Sequence, residues 1–253
     1  MDHNSLLTRY QITLSPDRPL SGPEAPRPEW AYRLYSALLA GAPPEFGDWV
    51  HRNAVAPVSQ FFVPQGDSWR WTVTLLGEDC AGVLAPCLEA REAYYLDRER
   101  VSLRVTGLER HTVADVDALF ALAQGRGGSH TLRFRTPTAF KSQKRYVSLP
   151  SPWLLMQNLV NRWNGCITHC PIDDEDGQGL RALADGLRFS RFRLESRVYH
   201  LKGSGVPGFT GDLTVENGLQ GFHRQLADAL LIFAAYSGVG IKTTLGMGGV
   251  EAL

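Results

Sequence analysis

Hydrophobic side chains recur along this chain in two periods, one of two residues and one of 3.6. Residues 10–15 alternate apolar and polar positions, as a strand with one buried face does. Over 29–40, Trp30, Leu34 and Leu38 recur at helical spacing beside Ala31, Tyr35 and Leu39, and Gly41-Ala-Pro-Pro44 stops the helix. The β-rich runs 58–63 and 68–76 read as a hairpin, 79–90 as a short helix and 94–107 as a strand. That order, β-α-β-β-α-β, is the ferredoxin-like unit. The glycines of Gln124-Gly-Arg-Gly-Gly-Ser129 mark a boundary. The order then repeats: strand 130–135, helix 152–164, strands 187–201 and 209–215, helix 219–235 and a terminal strand. The pattern predicts an α+β chain of two tandem ferredoxin-like (RRM-like) domains, 1–125 and 130–253. The same order occurs in RNA-recognition domains, without their aromatic strand signature here.

Composition narrows the class. With 253 residues, 43% hydrophobic and 21% charged, the chain can bury one large core or two smaller ones. No apolar run approaches the roughly 18–20 residues of a membrane span, and the first residues lack the basic-then-apolar order of a signal peptide. A cytoplasmic protein with no membrane partner is expected. Of the four cysteines, Cys166 and Cys170 flank His169 like half a zinc site, but Cys80 and Cys87 fall on the helix 79–90. They read as reduced thiols, with no metal and no cofactor.

Charge adds a partner. The net charge is zero, yet residues 126–172 contain no acid while carrying Arg126, Arg133, Arg135, Lys141, Lys144, Arg145 and Arg162. The acidic run Asp173-Asp-Glu-Asp176 then offsets it, and Arg188, Arg191, Arg193, Arg197 and Lys202 follow. Local charge decides where a polyanion sits. Lys141, Lys144 and Arg145 are candidate phosphate contacts, and Arg191 and Arg193 share a strand face that could grip an RNA hairpin. Near the end of the sequence, Gly238, Gly240, Gly246 and Gly248 surround Lys242. Bare glycine amides and a lysine suit phosphate. A nucleotide P-loop needs glycine before the lysine, and Ile241 stands there instead. The loop therefore reads as a polynucleotide contact.

Several segments together resemble a known family: Gly208-Phe-Thr-Gly-Asp-Leu-Thr-Val-Glu216, Phe233-Ala-Ala-Tyr-Ser-Gly-Val-Gly-Ile-Lys-Thr-Thr-Leu-Gly-Met-Gly-Gly249, Phe134-Arg-Thr-Pro-Thr-Ala-Phe-Lys141 and Val58-Ser-Gln-Phe-Phe62. They look like the sixth family of CRISPR-associated proteins, repeat-RNA processing endoribonucleases of the glycine-loop RAMP superfamily. The resemblance implies metal-independent cleavage of CRISPR repeat RNA. A 2′-hydroxyl would attack the adjacent phosphate and leave 2′,3′-cyclic phosphate and 5′-hydroxyl ends. It implies a catalytic histidine after the first helix, where His51 stands, and an assisting tyrosine on that helix, Tyr32 or Tyr35. The lysine that some members carry after the histidine is missing. Arg52 follows directly and the next lysine is Lys141, so Arg52 or Lys242 would supply the positive charge. A monomer or homodimer, with a CRISPR effector complex as a further partner, is expected. The competing reading is a catalytically inactive guide-RNA-binding subunit of the same superfamily.

Overall fold

The computed structural model describes residues 5–52, 55–124 and 126–253, with the side chains of Pro23, His51 and Arg52 outside the description. Strand β1 (Leu7–Pro16) buries Tyr10, Ile12 and Leu14, the apolar half of its alternation. A 3-10 turn at Pro28–Trp30 leads into α1 (Ala31–Leu39), and a second helix, α2 (Pro44–Arg52), follows. The hairpin β2 (Val58–Gln65) and β3 (Ser68–Leu76) precedes α3 (Glu78–Glu89), β4 (Ala93–Leu96) and β5 (Val101–Val113). The sheet order is β2-β3-β1-β5-β4, all antiparallel, which is the ferredoxin-like order with β4 added at one edge. One core holds Tyr10, Ile12 and Leu14 with Leu34 and Tyr35 of α1, Phe46 of α2 and Leu84 of α3.

Helix α4 (Val116–Ala123) leads to β6 (Ser129–Thr138), the short hairpin β7 (Phe140–Ser142) and β8 (Arg145–Val147), α5 (Pro152–Cys166) and α6 (Gln178–Asp185). The long hairpin β9 (Leu187–Leu201) and β10 (Ser204–Asn217), α7 (Gly221–Ser237) and β11 (Val250–Ala252) complete the chain. The order β11-β6-β10-β9 repeats the ferredoxin-like order. The core of this sheet also takes in Leu6, Leu7, Leu76 and Val113, so the two halves share apolar packing.

Local chemistry explains where periodicity was not enough. The expected strand 94–107 is two strands, because Asp97-Arg-Glu-Arg100 is too charged for a buried ladder and turns, with Arg100 at φ 50. Helix α2 starts from Pro44, a residue suited to a first turn as well as to ending the preceding helix. Asp115 caps α4 by accepting from the Ala118 amide at 2.8 Å. The acidic run does more than offset charge: Asp174 accepts from the Gly179 and Leu180 amides, both at 2.8 Å, and so starts α6.

Candidate functional site

The glycine loop is built by close approach. Gly238 and Gly240 take φ of 69 and 85, and Gly246 and Gly248 take 100 and 67, all in the region that side chains avoid. A Cβ on Gly240 would stand 2.2 Å from the Ala139 carbonyl oxygen, and one on Gly248 would stand 2.0 Å from that of Val239. The expectation of bare amides is corrected here. The Gly240 amide donates to Asn158 Oδ1 at 2.7 Å, the Gly248 amide to the Pro137 carbonyl at 3.1 Å, and all four glycines are buried. These glycines let the chain pack against itself, and the 3-10 turn Thr243–Leu245 that follows Lys242 is itself packed inward, with Thr243 buried.

Two of the other resembling segments hold this loop. In the 134–141 segment, Thr136 Oγ1 accepts from the Gly249 amide at 2.9 Å and the Ala139 carbonyl accepts from the Ile241 amide at 2.9 Å. In the β2 segment, Ser59 Oγ donates to the Tyr236 carbonyl at 2.6 Å. Buried Gln60 donates through Nε2 to the carbonyls of Ala31 (3.1 Å) and Thr244 (2.8 Å) and accepts from Trp71 Nε1 at 2.7 Å. One side chain thereby fixes the glycine loop, the start of α1 and the N-terminal sheet together. Arg9 adds a contact across the halves, donating to the Ala235 carbonyl at 2.5 Å with its guanidinium 4.0 Å from the Tyr236 ring centroid.

Around this joint the candidate side chains separate. Lys242 is half-buried and left-handed (φ 57), and its carbonyl accepts from the Leu245 and Met247 amides, so backbone geometry fixes where its side chain starts. Tyr32 is half-buried on α1, and the Lys202 ammonium from the β9–β10 turn lies 5.0 Å from its ring centroid. Tyr35, three residues on, packs into a different cluster. It belongs to the N-terminal core, its hydroxyl is buried without a hydrogen-bond partner, and burial pushes its pKa up, as a packing role would have it. His51 and Arg52 lie in the last turn of α2, and their side chains are outside the described residues. Beside that turn a cavity of about 610 Å3 is lined by Trp49, Val55, Gly77, Cys166 and His169. His169, set aside above as half of a zinc motif, is thus the histidine that the described cavity wall contributes. Among the described residues no group of three or more His, Cys, Asp or Glu side chains could hold a metal ion.

The cations spread over two surfaces. Lys141, Lys144 and Arg145 are exposed on the β7–β8 hairpin, whose tip, Gln143 and Lys144, has φ of 48 and 65. That pair forms a primed two-residue turn without glycine. Arg191 and Arg193 are exposed on the edge strand β9 and, opposite Thr214 and Asp212, share one sheet face. Asp212 is held by a two-pronged contact from Arg133 (2.8 and 3.0 Å), which keeps its carboxyl below the usual carboxylate range. Glu251 pairs with both Arg70 (2.7 Å) and Arg135 (2.9 Å). Two residues escaped sequence reasoning. Phe192, between the two arginines, is 71% exposed, as a stacking surface for bases would be. Arg162 is buried on α5 one turn beyond Asn158, and its Nε and Nη2 have no hydrogen-bond partner. The acid-free composition around it points outward only on average; nothing in the pattern separates this arginine from its exposed neighbours.

Comparison with known proteins converges on one family. Residues 132–250 match the family model for CRISPR-associated endoribonuclease Cas6. The CRISPR-associated endoribonuclease Cas6 of Mycobacterium tuberculosis is 30% identical over 252 residues, spanning 97% of this chain and 78% of that protein. The Streptococcus thermophilus CRISPR-associated endoribonuclease Cas6 is 27% identical over 229 residues, spanning 89% and 92%. The solved structure of a Thermus thermophilus Cas6 superposes with a TM-score of 0.71 at 26% identity, covering 98% of this chain and 99% of that one.

Proposed function

The chain belongs to the Cas6 family of CRISPR-associated endoribonucleases, and from that premise we propose that it cleaves CRISPR repeat RNA in precursor transcripts without a metal ion. The observation that supports this reading is the glycine loop, whose Ile241 and Leu245 pack in one cluster with Tyr32 of α1 and whose backbone bonds to Gln60 of β2 and Asn158 of α5 at the joint between two ferredoxin-like halves. In the proposed reaction the 2′-hydroxyl upstream of the scissile bond attacks the phosphate. The 5′-oxygen leaves, and the products carry 2′,3′-cyclic phosphate and 5′-hydroxyl ends. His51 transfers a proton, a contribution of typically ~10²–10⁴-fold. Tyr32 assists, and Lys242 or Arg52 offsets the charge developing on the phosphorane. Residues 1–125 supply the proton-transfer groups, while 130–253 supply the loop and the strand arginines. Among the described residues no helix is long and apolar enough to cross a membrane, and the proposed site of action is the cytoplasm, with an effector complex receiving the product.

The test is cleavage of a labelled repeat RNA in excess EDTA by wild type and His51→Ala, with a substrate carrying a single 2′-deoxy at the scissile position. Cutting by wild type of the unmodified RNA alone is expected. Tight binding by wild type with no cutting would mean a guide-RNA holder and would remove the catalytic assignments.

A further inference from the structure

A separate, basic cavity, about 300 Å3 in volume, opens at the N-terminal end of α1 and draws on three separate stretches of chain. Arg27, Glu29 and Arg33 come from the turn before α1 and its first turn, Arg98 from the β4–β5 turn, and His200 and Lys202 from the end of the β9–β10 hairpin. The hairpin is closed by Lys202 and Gly203 at φ 50 and 83, a primed two-residue turn. That turn folds the lysine back over Tyr32, 5.0 Å from its ring centroid. Two carboxylates lie among these cations. Glu99 contacts Arg33, and Glu29 accepts from the His200 amide at 3.4 Å. Arg33 is lowered from its ordinary pKa by burial and then by the like charges of Arg98 and Arg27. Cations from three segments held close against their mutual repulsion form a site for an anion.

The site adjoins the glycine loop. Tyr199, which precedes His200, donates from its hydroxyl to the carbonyls of Leu245 (2.8 Å) and Pro28 (3.1 Å), tying the cavity's rim to the turn beyond Lys242. Arg27, Arg98 and Lys202 are exposed. Exposed cations contributed by three separate segments suit successive charges along a strand better than one small ion. We propose that this cavity binds backbone phosphate of the RNA at a position other than the scissile bond, with Arg98 and Lys202 as its outer contacts. The inference rests on the RNA-processing reading above.

Arg98→Ala/Lys202→Ala tests it, because both side chains are exposed and their removal leaves the core intact. Affinity for labelled repeat RNA would be measured against salt for wild type, the double variant and Arg181→Ala, whose arginine lies on α6 away from the cavity. Each lost single-strand phosphate contact lowers the slope of log affinity on log salt by about 0.7, so the double variant should lose about 1.4. Binding near physiological salt should weaken by roughly 10- to 100-fold, with Arg181→Ala close to wild type. Wild-type binding with the same affinity and slope in the double variant refutes the cavity alone. Failure of wild type to bind repeat RNA removes the RNA reading and this inference with it. A parallel thermal-shift series with inorganic phosphate separates the sources. Stabilisation by phosphate that the double variant loses, with RNA affinity unchanged, would identify a small-anion site and overturn the polynucleotide assignment.

Discussion

If the loop glycines serve close packing, a single methyl at position 240 should cost much more than one at an open left-handed turn. In Gly240→Ala the added Cβ meets the Ala139 carbonyl oxygen at 2.2 Å, a backbone atom that cannot rotate away. That carbonyl accepts from the Ile241 amide, and Asn158 bridges Gly240 through its amide at 2.7 Å and its carbonyl at 3.3 Å, so relief of the clash must disturb these bonds. The φ of 85 adds about 1–2 kcal/mol for a side-chain-bearing residue. Overpacking adds about 1–3 kcal/mol and each disturbed hydrogen bond about 1 kcal/mol. Allowing for partial relaxation, the loss is roughly 3–5 kcal/mol, or ~10 °C in melting temperature for a chain of this size. Gly66→Ala is the internal reference: its φ is 59, but no atom lies within 4 Å of the new Cβ, so only about 1 kcal/mol is expected. Urea unfolding of the two variants, followed by tryptophan fluorescence, gives the comparison. Equal midpoints would refute the packing argument. RNA affinity of the folded fraction supplies the functional arm, since amides already bonded within the protein have little left to lose to a phosphate.

Three further outcomes follow from the same geometry. Gln60→Leu should cost roughly 2–4 kcal/mol in urea unfolding, because it strands the Trp71 indole N–H and the Ala31 and Thr244 carbonyls in a buried joint. Tyr35→Phe, which removes an unpartnered buried hydroxyl, should leave repeat cleavage at the wild-type rate and stability equal or higher, whereas Tyr32→Phe should slow single-turnover cleavage. A slowed Tyr35→Phe would reverse that assignment. Burial holds the His130 pKa below its ordinary value of 6.5, outweighing the 2.7 Å contact of its Nε2 with Asp228. Below pH 6.5 the unfolded chain then binds the extra proton and the native state resists it. Stability should therefore fall as pH drops from 6.5 toward the lower native value and be flat above. Urea midpoints at pH 5.5 and 7.5 should differ more for wild type than for His130→Gln.

The fold was largely legible because it rests on periodicity, and periodicity is a local property. Two β-α-β-β-α-β orders could be read from Tyr10, Ile12 and Leu14 or from Leu34 and Leu38 without knowing what covers them. Helices α4 and α6 were missed although Asp115 and Asp174 announce them, since a capping carboxylate and a solvated one look alike until the amides it serves are placed. The site was legible only in part. Lys242 and its glycines stood out by composition, but which atoms the glycines serve depends on Ala139 and Asn158, about 100 and 80 residues away in sequence. Tyr35 already shared an apolar stripe with Ala31 and Leu39, but that Tyr32 lies under the β9–β10 turn depends on residues about 170 positions away.

The zero net charge, which on its own argues against a nucleic-acid partner, loses that force once the acids are located. Asp212, Glu216 and Glu251 each sit against arginines of the C-terminal sheet, while Asp173 and Asp174 border a separate cavity among α4, α5, α6 and α7. Among the described residues, Lys141, Lys144, Arg145 and Lys242 form no ion pair. Carboxylates fixed close to particular guanidiniums screen those groups and little else, because the field of a pair falls away much faster than that of a lone charge. A polyanion approaching the β7–β8 hairpin or the glycine loop therefore meets cations that the balancing acids do not neutralise. Substituting those loop cations should change RNA affinity far more than removing the same number of paired arginines from the sheet.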